Sequence, residues 1–318
     1  MTPVIEVKNL KKYFDTPNGA LHAVDDVSFS IQRGTTMGIV GESGCGKSTL
    51  GRTIIHLLES TAGQIFLNGE DVTTVSKSKM RQLREKMQIV FQDPYSSLNP
   101  RMTIEETIRE PLQLSKRFTK AELDKEVERL MERTGIEERL ATAYPHELDG
   151  GRRQRVGIAR ALALNPDFIV CDEPVSALDV SIQAQILNLL MDLQDEFGLT
   201  LMFVTHDLSV VRHISNTIGV MYLGQMIENA TSEELFQHQL HPYTKALLSA
   251  IPSTDIHNPS KRMVLKGELT SPINPKPGCR FAARCPYATA SCSQPQQLEE
   301  VRPNHFVACC RVRELNEL

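Results

Sequence analysis

The sequence predicts an α/β fold: a parallel sheet with flanking helices, interrupted by a mostly helical insertion and followed by a small cysteine-rich segment. Three observations carry that prediction. Short β-branched runs alternate with helical periodicity on both sides of a central stretch that lacks such runs. Phe168–Cys171 and Leu201–Val204 are apolar throughout, as parallel strands covered on both faces are. Cys279, Cys285, Cys292, Cys309 and Cys310 crowd the C-terminal end, where proline is frequent and periodicity fades.

Taken in order, Val4–Val7, Val27–Ile31 and Thr36–Val40 read as strands, the last running into a glycine-rich turn and a helix over Ser48–Leu58. From Gln92 to about Gly150 the charge density suits solvated helices. Thr119 and Glu122 there form a capping-box pair, Leu123, Val127, Leu130 and Met131 recur at helical spacing, and Gly135 can end the helix. Arg152–Leu164 reads as a helix that stops before Asn165-Pro166. Phe168–Cys171 is a strand, and Ser181–Phe197 an amphipathic helix closed by Gly198. Leu201–Val204 and Ile218–Tyr222 supply two further strands. The expected organisation is a core in two parts, residues 1–92 and 151–251, around a helical subdomain at 93–150, with a cysteine-rich module at 252–318.

Composition narrows the classes of function. The 318 residues suggest about two domains. Thirty-five basic and 39 acidic side chains leave a net charge of −4, and Trp is absent. That balance argues against a nucleic-acid binder working through a basic surface. No apolar run approaches the about 18 residues of a membrane span, and the start lacks the apolar core of a signal peptide. The chain is expected to be cytosolic and to reach a membrane only through partners.

Gly41-Glu42-Ser43-Gly44-Cys45-Gly46-Lys47-Ser48 fits G-x-x-x-x-G-K-[ST] between a strand and a helix, which marks a P-loop NTPase core. Glycines let backbone N–H groups converge on phosphate oxygens, and the helix N-terminus adds its positive end. Lys47 neutralises the β- and γ-phosphates of ATP, and the Ser48 hydroxyl suits Mg²⁺. Downstream, the strand from Phe168 ends in Asp172 and Glu173. Asp172 suits Mg²⁺, a hard cation, and Glu173 can accept a proton from attacking water. His206 ends the next strand, on the edge where α/β proteins bind ligands.

In this order the pieces resemble the nucleotide-binding subunit of an ABC transporter, from about Val4 to Gly224. Val90-Phe91-Gln92-Asp93-Pro94 matches that family's Q-loop, Leu148-Asp149-Gly150-Gly151-Arg152 its signature, Ser176-Ala177-Leu178-Asp179 its D-loop and His206 its switch histidine. Phe14 falls where the family stacks a ring on adenine, with Tyr13 the alternative. Thr49 extends the phosphate loop. The stretch Val175–Ser181, His241-Pro242-Tyr243-Thr244 and the cysteine-bearing tail resemble the ATPases of dipeptide, oligopeptide and nickel importers. The resemblance implies an ATPase at the cytoplasmic face of a bacterial inner membrane, working with a second ATPase subunit, two transmembrane permease subunits and an extracytoplasmic substrate-binding protein. It also implies that Gln92 joins the Mg²⁺ site and that Gly150, Gly151 and Asp179 act on ATP across the dimer. The helical insertion, in that reading, is the ABC-type subdomain. A non-transport ABC ATPase of DNA repair or translation is the rival; the single ATPase domain and acidic balance speak against it.

The family's signature serine is here Asp149. A carboxylate would meet like charge at the γ-phosphate bound on the opposite subunit, which predicts an asymmetric pair with one degenerate site. The last expectation concerns Cys279, Cys285, Cys292 and Cys309. Four thiols in a short, loop-rich segment suit zinc or an iron–sulfur cluster, and the absence of C-x₂-C pairs weakens zinc. The importer resemblance implies a [4Fe–4S] cluster, with Cys309 preferred over Cys310 in His305-Phe306-Val307-Ala308-Cys309.

Overall fold

The computed structural model describes residues 2–250, 263–265, 267 and 271–318. The boundary expected near Pro252 lies outside the described residues. In chain order the elements begin with β1 (Ile5–Thr16), β2 (Gly19–Ile31), β3 (Thr36–Val40), α1 (Lys47–Ile54), β4 (Ala62–Leu67) and β5 (Glu70–Asp71). There follow α2 (Lys77–Lys86), β6 (Met87–Val90), α3 (Pro94–Ser97), α4 (Ile104–Ser115), α5 (Lys120–Arg133), α6 (Gly150–Leu162), β7 (Phe168–Asp172), α7 (Val180–Phe197) and β8 (Thr200–Val204). The chain closes with α8 (Leu208–Ile214), β9 (Thr217–Tyr222), β10 (Gln225–Thr231), α9 (Ser232–Gln237), α10 (Pro242–Ser249), β11 (Glu299–Arg302), β12 (His305–Val307) and α11 (Val312–Leu315).

The chain forms two compact units. The first is built chiefly from Thr74–Met202. In it β6 and β7 pair in parallel, from Met87 opposite Phe168 to Val90 opposite Cys171. The expected capping box is present: Thr119 Oγ1 accepts from the Glu122 N–H, and the Glu122 carboxylate accepts from the Thr119 N–H at 2.7 Å. The same device starts α4 with Thr103 and Glu106. Helices α4 and α5 pack against α6, where Ile104, Ile108, Leu112, Val127 and Leu130 are buried. Polar residues of α6 tie the insertion's loops: Arg160 donates to the Ser97 carbonyl at 2.6 Å, Arg155 to that of Thr134 at 2.8 Å and Arg153 to that of Pro145 at 2.7 Å.

The second unit comprises Ile5–Ser30, Thr36–Thr73 and the described residues after Met202. It holds an antiparallel sheet in the order β2-β1-β4-β5. Here the strand expected at Val4–Val7 is the start of a strand running to Thr16. Its second half, Lys11–Thr16, has no fully buried position, so neither face is marked by apolar residues and no alternation shows in the sequence. Strands β3 and β9 pair in parallel, Met37 with Thr217 through Val40 with Val220, as strands α/β alternation brings together. Antiparallel β10, β12 and β11 then continue the sheet from β9, which the expectation of a parallel sheet did not include. Helix α1 ends four residues before the expected Leu58: Thr53, Ile54 and Ile55 are β-branched, Thr53 Oγ1 turns back onto the Thr49 carbonyl at 2.7 Å, and His56 enters the left-handed region with φ 57°. The core of this unit gathers Val40, Val211, Val220, Tyr222, Tyr243 and Phe281.

Candidate functional site

The phosphate-loop motif sits in the second unit, between β3 and α1. Gly46 is the N-cap of α1 in the left-handed region, φ 105°, and makes no side-chain cap. A Cβ at Gly46 would lie 2.0 Å from the Ala23 carbonyl oxygen, so only glycine fits there. Ser43 and Gly44 form the exposed rim, while Cys45 and Lys47 are buried. Lys47 Nζ donates to the carbonyls of Gly41 at 2.8 Å and Glu42 at 3.1 Å, so the ammonium is held over the loop's own mouth. Burial raises the Cys45 thiol above its ordinary pKa. Ser48 and Thr49 follow in the first turn of α1, where no acidic side chain opposes an anion.

His206 and Phe14 also belong to this unit. His206 is exposed two residues after β8, and the next residue, Asp207, caps α8 by accepting from the Ser209 N–H at 2.8 Å. Adjacent strand residues point to opposite faces, which separates Phe14 from Tyr13. Tyr13 stacks on His22 with centroids 3.8 Å apart, and its hydroxyl donates to Asp25. Phe14 is half-buried, with Lys12 Nζ 4.7 Å from its ring centre. Tyr13 is thus committed to a polar network that Phe14 does not join.

The first unit carries the other motif residues. Asp172 ends β7 fully buried. Glu173 follows in the left-handed region with φ 48°, uncommon for a residue with a side chain and of the kind found at reactive sites. Its carboxylate accepts from Gln92 Nε2 at 3.1 Å, joining two residues 81 positions apart that the sequence had assigned to one place. Its carbonyl accepts from Ser176 Oγ at 3.1 Å, which fixes the turn into the D-loop. Asp179 is exposed at the N-cap of α7.

The signature turn is likewise in this unit. Asp149 is the N-cap of α6, its carboxylate accepting from the Arg152 N–H at 2.8 Å and from the Arg152 guanidinium at 3.2 Å. Arg152 also donates to Glu137 at 2.9 Å, a partner 15 positions away that no motif marks. Gly150 and Gly151 allow α6 to approach the start of α7: a Cβ on Gly151 would lie 2.6 Å from Ile182 Cγ2, and one on Gly150 3.0 Å from Leu178 Cδ2. The buried Gln154, one turn on, reaches the carbonyl of Phe91 at 3.5 Å and so links this helix to the residue before Gln92.

In the second unit, Cys279, Cys285, Cys292 and Cys309 line one small pocket with Phe281 and Arg311. Cys310 is exposed; its N–H donates to Gln296 at 2.6 Å, and its sulfur stands beside Cys292, 3.6 Å from Ser291 Oγ. Burial, reinforced by the neighbouring sulfurs, pushes the Cys279 thiol up to about 11, and burial raises Cys285 and Cys309 as well. Burial would raise Cys292 too, but the Thr289 N–H, 3.5 Å from its sulfur, and the Thr289 hydroxyl, with Cys310 and Arg311 beside it, outweigh burial and lower the pKa. Among the described residues no group of three or more His, Cys, Asp or Glu stands close enough to hold one metal ion. Four cysteine sulfurs are a donor set that an iron–sulfur cluster takes; His241 lines the same pocket.

Residues 24–176 match the family described as ABC transporter, and residues 227–292 match the oligopeptide/dipeptide transporter C-terminal region. The chain is 52% identical over 317 residues to the oligopeptide transport ATP-binding protein AppF of Bacillus subtilis, covering 96% of each. A putative peptide import ATP-binding protein of Brucella ovis is 51% identical over 311 residues, with 98% of each covered. Among solved structures, cbiO1 of Clostridium perfringens, part of the ABC transporter complex cbiONQ, aligns with a TM-score of 0.68 at 29% identity over 75% of this chain and 92% of that one. A dimeric ATP-binding cassette in a post-hydrolysis state with ADP and Pi aligns with a TM-score of 0.66 at 32% identity, covering 72% and 98%.

Proposed function

The chain belongs to the ABC transporter family, in its oligopeptide/dipeptide class, and from that premise we propose that it is the ATP-hydrolysing subunit of a peptide importer. The loop Gly41–Thr49 grips the phosphates of ATP, and Phe14 stacks on adenine. Ser48, Gln92 and Asp172 hold Mg²⁺, Glu173 takes the proton of the attacking water, and His206 keeps water and γ-phosphate in line. The protein's work is positioning and charge compensation. The observation that carries this reading is the Gln92–Glu173 hydrogen bond, which unites the residue read as Mg²⁺ ligand with the residue read as base. In the assembled transporter, Glu173→Gln is expected to cut ATP turnover by about 10²- to 10⁴-fold while nucleotide still binds. Turnover near the original rate would remove Glu173 from the mechanism.

Relatives of this kind imply a partner ATPase and membrane permease subunits. No helix among the described residues is long and apolar enough to cross a membrane. A second ATPase, two permease subunits and an extracytoplasmic binding protein complete the proposed assembly, with this chain peripheral at the cytoplasmic face of the inner membrane. Peptide-transport names among the relatives favour a peptide over nickel, and transport over DNA repair or translation.

Gly150, Gly151 and Asp179 act, in this reading, on the partner's ATP. Asp149 stands where that ATP would meet a carboxylate, so hydrolysis at the partner's site is slowed or lost, whereas this chain's own site fires against the partner's signature. The pocket of Cys279, Cys285, Cys292 and Cys309 holds a [4Fe–4S] cluster, with Arg311 on the pocket wall offsetting thiolate charge. When bound, the cluster supplies a structural cross-link rather than a reaction step. An anaerobic preparation that is brown and bleaches with dithionite supports it; a colourless one containing zinc rejects it.

A further inference from the structure

Two arginines of the cysteine-rich module reach the nucleotide loop and its surroundings within the second unit. Arg284, next to Cys285, grips the carboxylate of Glu42 with one nitrogen, at 2.8 Å and 3.1 Å from the two oxygens. Glu42 is the second residue of the phosphate loop. Its N–H donates to Tyr243 Oη at 3.0 Å, and its carbonyl is one of the two that hold Lys47. Both side chains of the pair are largely buried, and the guanidinium lies 5.9 Å from the centre of the Tyr222 ring. Arg280, next to Cys279, donates to the Leu223 carbonyl and to Asp25. Asp25 in turn accepts from Tyr13 and pairs with His22 at 3.2 Å, and its N–H donates to the Gly224 carbonyl, whose own N–H donates to the Cys45 carbonyl at 2.8 Å. Between the two arginines, Phe281 is buried edge-on against Tyr222 and Tyr243. Successive turns, Ala282 N–H to Cys279 and Arg284 N–H to Phe281, leave the segment little freedom.

A loop shaped for a triphosphate gains nothing from a carboxylate of its own, since like charges repel through the same short distances that make the loop's N–H groups effective. Glu42 is such a carboxylate, and Arg284 is the cation bonded to it. We propose that Arg284 is a positioning residue of the nucleotide site: it cancels the charge of Glu42 and fixes the loop, so that the cysteine-rich module sets how tightly this chain holds ATP, with Arg280 anchoring the same module beside Tyr13. The inference rests on the reading of Gly41–Ser48 as the ATP loop.

The test measures ATP binding to the full chain by titration calorimetry. Arg284→Gln is expected to weaken binding about tenfold. Glu42→Gln placed in the Arg284→Gln background is expected to restore it to within about twofold, because the uncancelled charge is gone. Arg284→Lys, which keeps the charge without the planar guanidinium, should lose less than Arg284→Gln and serves in its place if that variant does not fold. Unchanged binding in Arg284→Gln overturns the proposal. So does failure of Glu42→Gln to restore binding, which would make Arg284 a structural bolt. Lys47→Ala is the control for the underlying reading: if it binds ATP as the unaltered chain does, the loop is not the site, whatever Arg284 does.

Discussion

Two glycine-flanked helix starts in this chain face opposite tasks and are finished in opposite ways. At α1 the cap is Gly46, no side chain satisfies the first N–H groups, and no acid lies in the first turn. At α6 the cap is Asp149, its carboxylate takes the Arg152 N–H, and Arg152 and Glu137 complete a small charge network. The first start is open and electropositive, ready for an anion to supply the missing acceptors. The second has supplied its own anion. What separates them is the cap residue, in backbone and side chain alike: Gly46 is left-handed with φ 105°, Asp149 extended with φ −70° and ψ 170°, and each can be tested by changing that position or its neighbour.

The largest effect is expected at the open start. Gly46→Ala places a methyl 2.0 Å from the Ala23 carbonyl and forces a left-handed alanine. Backbone strain of about 1–3 kcal/mol in the binding conformation should lower ATP affinity about 10- to 100-fold, read by calorimetry on the full chain. Binding within a few-fold of the original would mean that the loop's geometry is not what the ligand senses.

A smaller effect is expected at the closed start. Gly151→Ala drives a methyl to 2.6 Å from Ile182 Cγ2, a clash that the chain by itself meets without any partner's ATP. The cost should appear as lost stability of about 1–3 kcal/mol in denaturant unfolding. Ile182→Ala in the same chain removes the obstructing carbon and should recover part of it. If the double variant is no better than the single, the glycine is required for something other than this approach of α6 to α7.

The open start was legible because every residue that makes it works within a few positions of the next. Glycines, Lys47 and Ser48 state their role in sequence, and so do apolar runs such as Phe168–Cys171 and the cap Thr119–Glu122. Asp172 and Glu173 were legible for the same reason. The antiparallel strands β10, β11 and β12 were not: β11, Glu299–Arg302, is mostly polar and only half-buried at Val301 and Arg302, and nothing in its pattern distinguishes an edge strand from a loop. Nor could the sequence pair Glu42 with Arg284 across 242 positions, since a lone arginine beside a cysteine carries no signal of its partner. The cap at Asp149 was half legible. Its charge was read as a conflict with phosphate, but the role it performs in this chain, closing α6, is also a common use of aspartate at that position.

Those two roles of Asp149 come apart in one substitution. Serine caps a helix about as well as aspartate, so Asp149→Ser should leave the unfolding midpoint unchanged while removing the negative charge. Arg152 loses one partner but keeps Glu137, and its guanidinium then adds positive charge at the helix start. If the carboxylate is what disables the site it faces, ATP turnover of the assembled transporter should rise, towards about twofold, because two sites then hydrolyse where one did. Hydrolysed nucleotide should also appear at both sites instead of mainly at one. Should turnover stay level with both sites already holding hydrolysed nucleotide in the unaltered assembly, Asp149 is a cap and nothing more. The two helix starts would then differ in how they are satisfied while serving the same chemistry.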